Sequence, residues 1–357
     1  MEAKREPVVL FDDGQGPPTT VPVPVPPILE PRAVFHPADA ELTPSAAARV
    51  ADGWAASTRT GYARDWNTFT SWCTSLERTA LPATAETLAS YVDHLAVQGY
   101  APATIDRALG AIASRHHADG YPLTTKAARM ALRSYRRQWA NSGGRRRQAP
   151  ALSVEQLRAM LGHTDDGLRG LRDRTLLLLG YTMMARRSEL AALDSADLRQ
   201  VAEGLEVFVA TSKTDQDAAG VTVAIPYGTH LLTCPVRTAI AYHRALTEAG
   251  AAEGPFLRSI DRHGRAGGTP GATGRGTGRM SGAGINLIIK NLAAKADLES
   301  ITAHSLRSGP ATAAAAARVP RAWIARQGRW SEKSTAVDTY IRPADAWADN
   351  PMRHVGL

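Results

Sequence analysis

From residue 44 onward, apolar residues recur every three or four positions, and short breaks rich in glycine and proline interrupt the pattern. That period belongs to a helix with one buried face. Breaks near Leu81-Pro82, between Gly99 and Pro102, and between Gly120 and Pro122 divide residues 44–140 into four or five short helices. In the first, following Ser57-Thr58, the rings of Tyr62, Trp66, Phe69 and Trp72 come at spacings of four, three and three, hence on one face. A stripe of that kind is expected to pack in a core rather than to stack on bases.

The pattern changes after residue 150. Ser153 is a helix-start signal followed by Glu155, and residues 171–184 are apolar enough for a buried helix. Leu205, Val207 and Val209 alternate with Glu206 and Phe208, and Val221, Val223 and Ile225 repeat the alternation. Two strands therefore flank the polar loop 212–220, a β-hairpin within a mostly helical domain. Residues 264–284, rich in Gly, Arg and Thr, offer little apolar surface and are expected to form a mobile loop. Their glycines do not form a nucleotide loop, because no G-K-[ST] tripeptide follows and no strand precedes them.

Two stretches stand outside this alternation. Residues 1–43 contain T-T-V-P-V-P-V-P-P-I-L-E-P, whose prolines forbid helix and favour an extended, disordered tail. Arg133, Arg136, Arg137, Arg145, Arg146 and Arg147 surround Ser142-Gly143-Gly144 without an acid among them, which reads as a flexible basic linker able to lie along phosphates. The expected organisation is a tail (1–43), a helical domain (44–140), a linker (141–150), a second domain (151–350) and a short C-terminal tail (351–357). Periodicity alone defines two mostly helical domains.

Composition narrows the class. With 44% hydrophobic and 21% charged residues, the 357-residue chain is ordinary globular protein. Its formal net charge of +8 attracts a polyanion or an acidic membrane surface. No apolar run approaches the roughly 18 residues of a membrane span, and charges between Glu2 and Asp13 spoil a signal peptide, so a cytoplasmic protein without membrane attachment is expected. Cys73 and Cys234 lie far apart and read as core thiols in a reducing compartment.

Four segments of the second domain carry groups suited to a phosphodiester. In A-R-R-S-E-L (185–190), Arg186 follows a buried helix and Ser188 is placed to cap the next. A guanidinium there forks two phosphate oxygens, or pairs with Glu189 to tie two helices. In S-K-T-D-Q (212–216), Lys213 starts the hairpin loop, where a long ammonium reaches across a cleft or is simply solvated. In H-S-L-R-S-G (304–309), His304 and Arg307 stand at i and i+3 and share a helical face, although either alone has an ordinary structural reading. Finally G-R-W-S is followed by D-T-Y-I-R, with Tyr340 ten residues after Trp330. A phenol with a reference pKa of about 10 becomes a nucleophile when cations ease its deprotonation, but most tyrosines so placed only pack.

Taken in order, these residues resemble the tyrosine recombinase, or phage integrase, family over residues 44–347. Its pattern is an R-x-S-E-L box, a hairpin lysine, an H-x-L-R-x-G box, a His or Trp, and a C-terminal tyrosine. The resemblance implies an α+β, mainly helical fold with a small sheet: a helical, SAM-like core-binding domain and a catalytic domain that close on DNA as a clamp. It implies Arg186 and Arg307 clamping the scissile phosphate, His304 and Trp330 donating to it, and Tyr340 attacking it to give a 3′-phosphotyrosine. Lys213 then protonates the leaving 5′ oxygen, and Glu189 supports the pocket. It further implies double-stranded DNA as substrate and no cofactor, metal or ATP. A homotetramer on paired sites, an accessory directionality factor, and a bacterial or phage-encoded, nucleoid-associated enzyme follow from the same resemblance.

The chain departs from the family in three places. Trp330 replaces the commoner histidine, its interval to Tyr340 is one residue longer than usual, and Pro310 stands where an aromatic is common, although a proline is tolerated in the first turn of a helix. Tyr135 and Tyr181 are poorer nucleophiles because neither follows G-R-W-S. A type IB topoisomerase-like enzyme and a catalytically silent DNA-binding regulator are the rival readings.

Overall fold

The computed structural model describes residues 43–46, 49, 53–145, 149–210, 220–274, 276–331, 335–341, 350, 352 and 355. The proline-rich tail up to residue 42, together with Arg146 and Arg147, lies outside the described residues. The chain divides into two compact units, Met1–Arg146 and Arg147–Leu357. Among the described residues, no helix is long and apolar enough to cross a membrane.

The first unit contains helices α1 (Ala56–Ser75), α2 (Ala85–Val97), α3 (Pro102–Ala118) and α4 (Lys126–Asn141). Thr84 caps α2 by accepting from the Thr87 amide at 3.1 Å, and Pro102 opens α3, where a missing N–H costs nothing. Phe69, Trp72, Leu88, Tyr91, Ile105, Leu109, Ile112 and Leu132 form the core, with Trp66 packed against it. The aromatic stripe of α1 therefore packs inside; Tyr62, at its outer end, meets Trp54 at a ring separation of 5.5 Å. His116 is fully buried, accepting from the Ala83 amide through Nε2 and donating from Nδ1 to the Ile112 carbonyl, each at 2.8 Å.

The basic stretch is corrected in part. Nothing in 126–141 breaks a helix, and Ala128 and Leu132 bury one face, so Arg133, Arg136 and Arg137 lie on exposed positions of α4 rather than in a flexible linker. Arg136 pairs with Asp106 at 2.8 Å. The helix ends where Gly143 takes a positive φ of 81° and its neighbour's amide returns to the Trp139 carbonyl, a turn only glycine adopts without strain.

The second unit contains α5 (Val154–Gly162), α6 (Leu168–Thr182), α7 (Arg187–Ala192), β1 (Leu198–Val201), β2 (Gly204–Val209), β3 (Val221–Pro226), α8 (Pro235–Glu248), α9 (Gly282–Lys295), α10 (Ser305–Ala316) and α11 (Arg321–Gly328). Ser153 caps α5 in a reciprocal box with Gln156, while Glu155 takes the Ser153 hydroxyl. Helix α6 is buried along most of its length and carries Leu176 to Leu179 through the middle of the core. The three strands form an antiparallel sheet in the order β1-β2-β3, with Leu205 opposite Ile225 and Val207 opposite both Val223 and Leu198. Strand β1 escapes the period-2 pattern because its four residues show only two half-buried positions, one at each end.

The Gly/Arg-rich stretch 264–284 is also corrected: its described residues are folded. Buried Arg258 donates to the carbonyls of Gly267 (2.9 Å) and Thr277 (2.6 Å) and to that of Glu253. Asp261 accepts the amides of His263, Arg265 and Thr273, which hold its carboxyl down to about 2. Gly267 and Gly278 cross so closely that a Cβ on either would meet the other's backbone. From Gly282 the chain is already α9, capped by Ser281. Charged side chains here satisfy backbone carbonyls and amides, while Ala266 and Met280 join the apolar core of the unit.

Arg258→Met is expected to release this stretch, since hydrogen bonds from a charged donor each contribute about 1.5–3 kcal/mol. Trypsin cleavage between residues 262 and 279 should then accelerate at least about ten-fold; an unchanged digestion rate would show that the turn holds without Arg258.

Candidate active site

The site is assembled from helix ends. Helix α6 stops when Met184 adopts φ 48°, its amide bonding the Tyr181 carbonyl while Ala185 bonds that of Gly180. A methionine in this left-handed turn costs about 1 kcal/mol or more relative to glycine. Burial of its side chain against Ala311, Ile324 and Trp330 offsets that cost. The reversed chain presents Arg186 as the N-cap of α7, and the Glu189 carboxylate accepts the Arg186 amide at 2.9 Å. Ser188, expected as the cap, lies inside the helix because Glu189 already fills that role. At the other end of α7, Arg279 donates to the carbonyls of Ala191 and Ala192 and pairs with Asp194.

Helix α10 places the second box. Asn286 of α9 accepts the Ala303 amide at 2.9 Å, which fixes His304 as the N-cap of α10. Leu306 packs against Gly180 of α6, and Gly309 lies on the Leu152 backbone where a Cβ would clash. Arg307 is thereby turned inward, 3% exposed. Pro310 is in the helix interior rather than the first turn, buried with its neighbours, so the Leu306 carbonyl has no proline amide to bond.

Helix α11 supplies the third element and ends at Arg329, again left-handed at φ 54°, with the Trp330 amide returning to Ala325 at 2.9 Å. Beyond it, fully buried Val337 and an Arg321–Asp338 pair at 2.7 Å anchor the short turn that carries Tyr340.

These turns converge. His304 Nε2 and the Tyr340 hydroxyl are 2.8 Å apart, with the Trp330 and Tyr340 ring centres separated by 5.6 Å. The Arg307 guanidinium lies 3.9 Å from the Trp330 ring centre, a cation–π contact, and Nη1 donates to the Met184 carbonyl at 2.6 Å. Its buried Nη2 has no partner among the described residues. Arg186 pairs with Glu189 at 2.6 Å, and Arg329 pairs with the other oxygen of the same carboxylate at 2.5 Å.

Burial pushes the Glu189 carboxyl up, but Arg329 and then Arg186 outweigh it and hold the group below its ordinary value. The Arg307 guanidinium is pushed down to about 9, first by burial and then by the charges of Arg186 and Arg329. Three guanidiniums share the pocket with one carboxylate, which Arg186 and Arg329 contact directly, an excess of two positive charges (three minus one) held mostly out of water. Such an excess of buried positive charge favours an anion.

The structure thus brings together Arg186, Glu189, His304, Arg307, Trp330 and Tyr340. Lys213 lies outside the described residues, although the hairpin that carries it is bound nearby: Gln327 of α11 donates to the carbonyls of Thr182 and, at 3.4 Å, of Ala224 in β3. Arg133, Arg136, Arg137 and Arg145 belong to the first unit. Arg329 was missed by sequence reasoning; its only signal was its place beside Trp330. Tyr181 is excluded as nucleophile, because its hydroxyl is buried and desolvation pushes it to about 12. The Tyr135 hydroxyl bonds the Tyr100 carbonyl in the first unit.

The sequence model of the Phage integrase family matches residues 150–346. An integrase/recombinase xerD homolog of Selenomonas ruminantium is 32% identical over 322 residues, covering 88% of this chain and 89% of that protein. Among solved structures, XerA recombinase aligns over 87% of this chain and 96% of its own at 13% identity and a TM-score of 0.41. The Tn1549 transposon integrase in complex with transposon right end DNA aligns over 77% and 86% at 12% identity and a TM-score of 0.47. The chain belongs to the phage integrase family and is a tyrosine-type site-specific DNA recombinase.

Two outcomes follow from the site's charge. Arg307→Gln removes a buried cation with an unpartnered donor, so it is expected to lose DNA cleavage and yet melt at or up to about 4 °C above the parent. A melting point several degrees lower would show that the bond to Met184 outweighs the buried charge. Glu189→Gln leaves Arg329 buried without its counter-charge, at a cost of about 3–5 kcal/mol near neutral pH. Because the folded carboxyl titrates below its ordinary value of 4.5, the parent's advantage is present above that value and is lost as pH falls through the lower, folded one. Urea unfolding at pH 7 and near pH 3.5 checks this; a gap that does not narrow in acid would contradict it.

Proposed function

We propose that this recombinase cleaves double-stranded DNA with Tyr340 as nucleophile. The phenol oxygen bonds to the scissile phosphorus, the bond from phosphorus to the 5′ oxygen breaks, and a 3′-phosphotyrosine and a free 5′-hydroxyl result. Attack by another 5′-hydroxyl reverses the step and rejoins the strands. Since each step exchanges one phosphate ester for another, the bond is conserved and no nucleotide hydrolysis is required.

The observation that carries this reading is the 2.8 Å contact between the Tyr340 hydroxyl and His304 Nε2 beside the unpartnered Nη2 of Arg307. In this reading His304 accepts the phenol proton as the oxygen attacks. Arg307 and Arg186 meet the two non-bridging oxygens, whose charge rises in the pentacoordinate state, so they stabilise it more than the ground state. Trp330 holds the Arg307 guanidinium against its ring face. Lys213, on the loop between β2 and β3, supplies the proton to the leaving 5′ oxygen.

Exposed Arg133, Arg137 and Arg145, continued by Arg146 and Arg147, fit contacts with backbone phosphates; Arg136 has Asp106 to satisfy it. Two duplexes present four strands, so exchange at paired sites calls for four copies of the chain, each cutting one strand. A directionality factor is a further partner compatible with this scheme, and the bacterial nucleoid its place of action.

The test is a nicked duplex from which the 5′ fragment diffuses away after cleavage. A denaturant-resistant protein–DNA adduct is expected, absent in Tyr340→Phe and formed about 10²–10⁴ times more slowly by Lys213→Ala with DNA affinity nearly unchanged. Tight binding without any adduct would make the chain a DNA-binding regulator. Relaxation of supercoiled plasmid without strand exchange would favour a topoisomerase-like reaction.

A further inference from the structure

We propose that Arg329 is a positioning residue for strand cleavage, which acts by neutralising Glu189 and so leaves Arg186 with a full charge for the scissile phosphate. The inference rests on the reading of Tyr340 and its arginines given above. Arg329 occupies the left-handed position that ends α11, where glycine is the least strained residue, yet its side chain is 4% exposed and all its assigned bonds run inward. Nη1 donates to the carbonyls of Met183 (3.0 Å) and Gln327 (2.9 Å), and Nη2 to Glu189 Oε2. Glu189 in turn receives Arg186 through both its amide and its guanidinium, and Arg186 Nη2 reaches back to the Arg329 carbonyl at 3.4 Å.

The charges decide what this arrangement does. Arg186 and Glu189 by themselves sum to zero, and a neutral pair offers little to a phosphate. With Arg329 the three sum to +1, and Arg307 brings the pocket to +2. A phosphodiester carries one negative charge and its pentacoordinate state close to two, so the third arginine matches the site to the transition state rather than to the substrate. Because Arg329 takes Oε2 and the Met183 carbonyl, it also keeps Glu189 seated against the start of α7, where Arg186 begins. A buried staple joining two helix ends would show the same bonds but would have no reason to be cationic.

The full-length chain tests this with the nicked duplex, once with a normal scissile phosphodiester and once with an uncharged methylphosphonate at that position. Arg329→Gln is expected to slow adduct formation by about 30-fold on the phosphodiester and by less than about 3-fold on the methylphosphonate, which needs less positive charge. The ratio between the two substrates is measured on one preparation and does not depend on how much of it is folded. Should the single variant fail to fold, Glu189→Gln/Arg329→Gln carries the same test: it restores the original charge sum around Arg186, and adduct formation on the phosphodiester is expected within about 5-fold of the parent. Equal losses on both substrates for the single variant, or a double variant no faster than about 30-fold below the parent, would overturn the proposal in favour of a staple. Failure of the parent chain to form a Tyr340-dependent adduct would instead overturn the nucleophile assignment on which it rests.

Discussion

A carboxylate shut away from water must find cations, and Glu189 finds two, from two of the turns that build the site. Arg186 opens α7 and Arg329 closes α11, so the shared ion pair ties both to the end of α6 through the Met183 carbonyl. Breaking either contact would leave a charge in low dielectric, where the penalty amounts to several kcal/mol. The geometry of the pocket is therefore fixed by electrostatic necessity before any DNA arrives.

Building a site from helix ends has a structural logic. Carbonyls at the close of α6 lack intrahelical partners, and the guanidiniums of Arg307 and Arg329 bond the carbonyls of Met184 and Met183. What would otherwise be unsatisfied backbone becomes the scaffold that aims two arginines. Helix α7 is too short to persist alone, so charged side chains secure both its ends, Glu189 at the first turn and Arg279 at the last. Arg279 comes from the Gly/Arg-rich stretch, which links the order of that stretch to the helix that begins with Arg186.

Excess charge runs against stability and toward function. The pocket holds Arg307 below its ordinary pKa, and one of its buried donors has no partner among the described residues. In the first unit the balance is different: aromatic side chains fill the core, buried His116 has both nitrogens bonded, and Asp65 meets Arg107 through two hydrogen bonds. Among the described residues of that unit, no buried side-chain nitrogen or oxygen lacks a partner.

Local pattern in the sequence determined much of this protein. Apolar periodicity and the glycine and proline breaks placed the helices of the first unit, alternation placed β2 and β3, and the ordered boxes named Arg186, Glu189, His304, Arg307, Trp330 and Tyr340. The helix and strand signals were legible because each depends on residues close in the chain, whereas the site residues were named by the order of four separated boxes and their resemblance to a known family. The order of residues 264–284 was not, since Arg258 and Asp261 bond carbonyls and amides that hydrophobicity does not count. The helical placement of Arg133 and Arg137 was obscured because a run of arginines hides the short apolar face of Ala128 and Leu132. The ends of α6 and α11 were hidden for another reason: methionine and arginine stand where glycine would have announced the turn. Only the tertiary structure decided that Arg329, 140 residues from Glu189, shares its carboxylate. An ion pair between distant segments leaves no period or spacing in the sequence, because it exists only once the helices are packed.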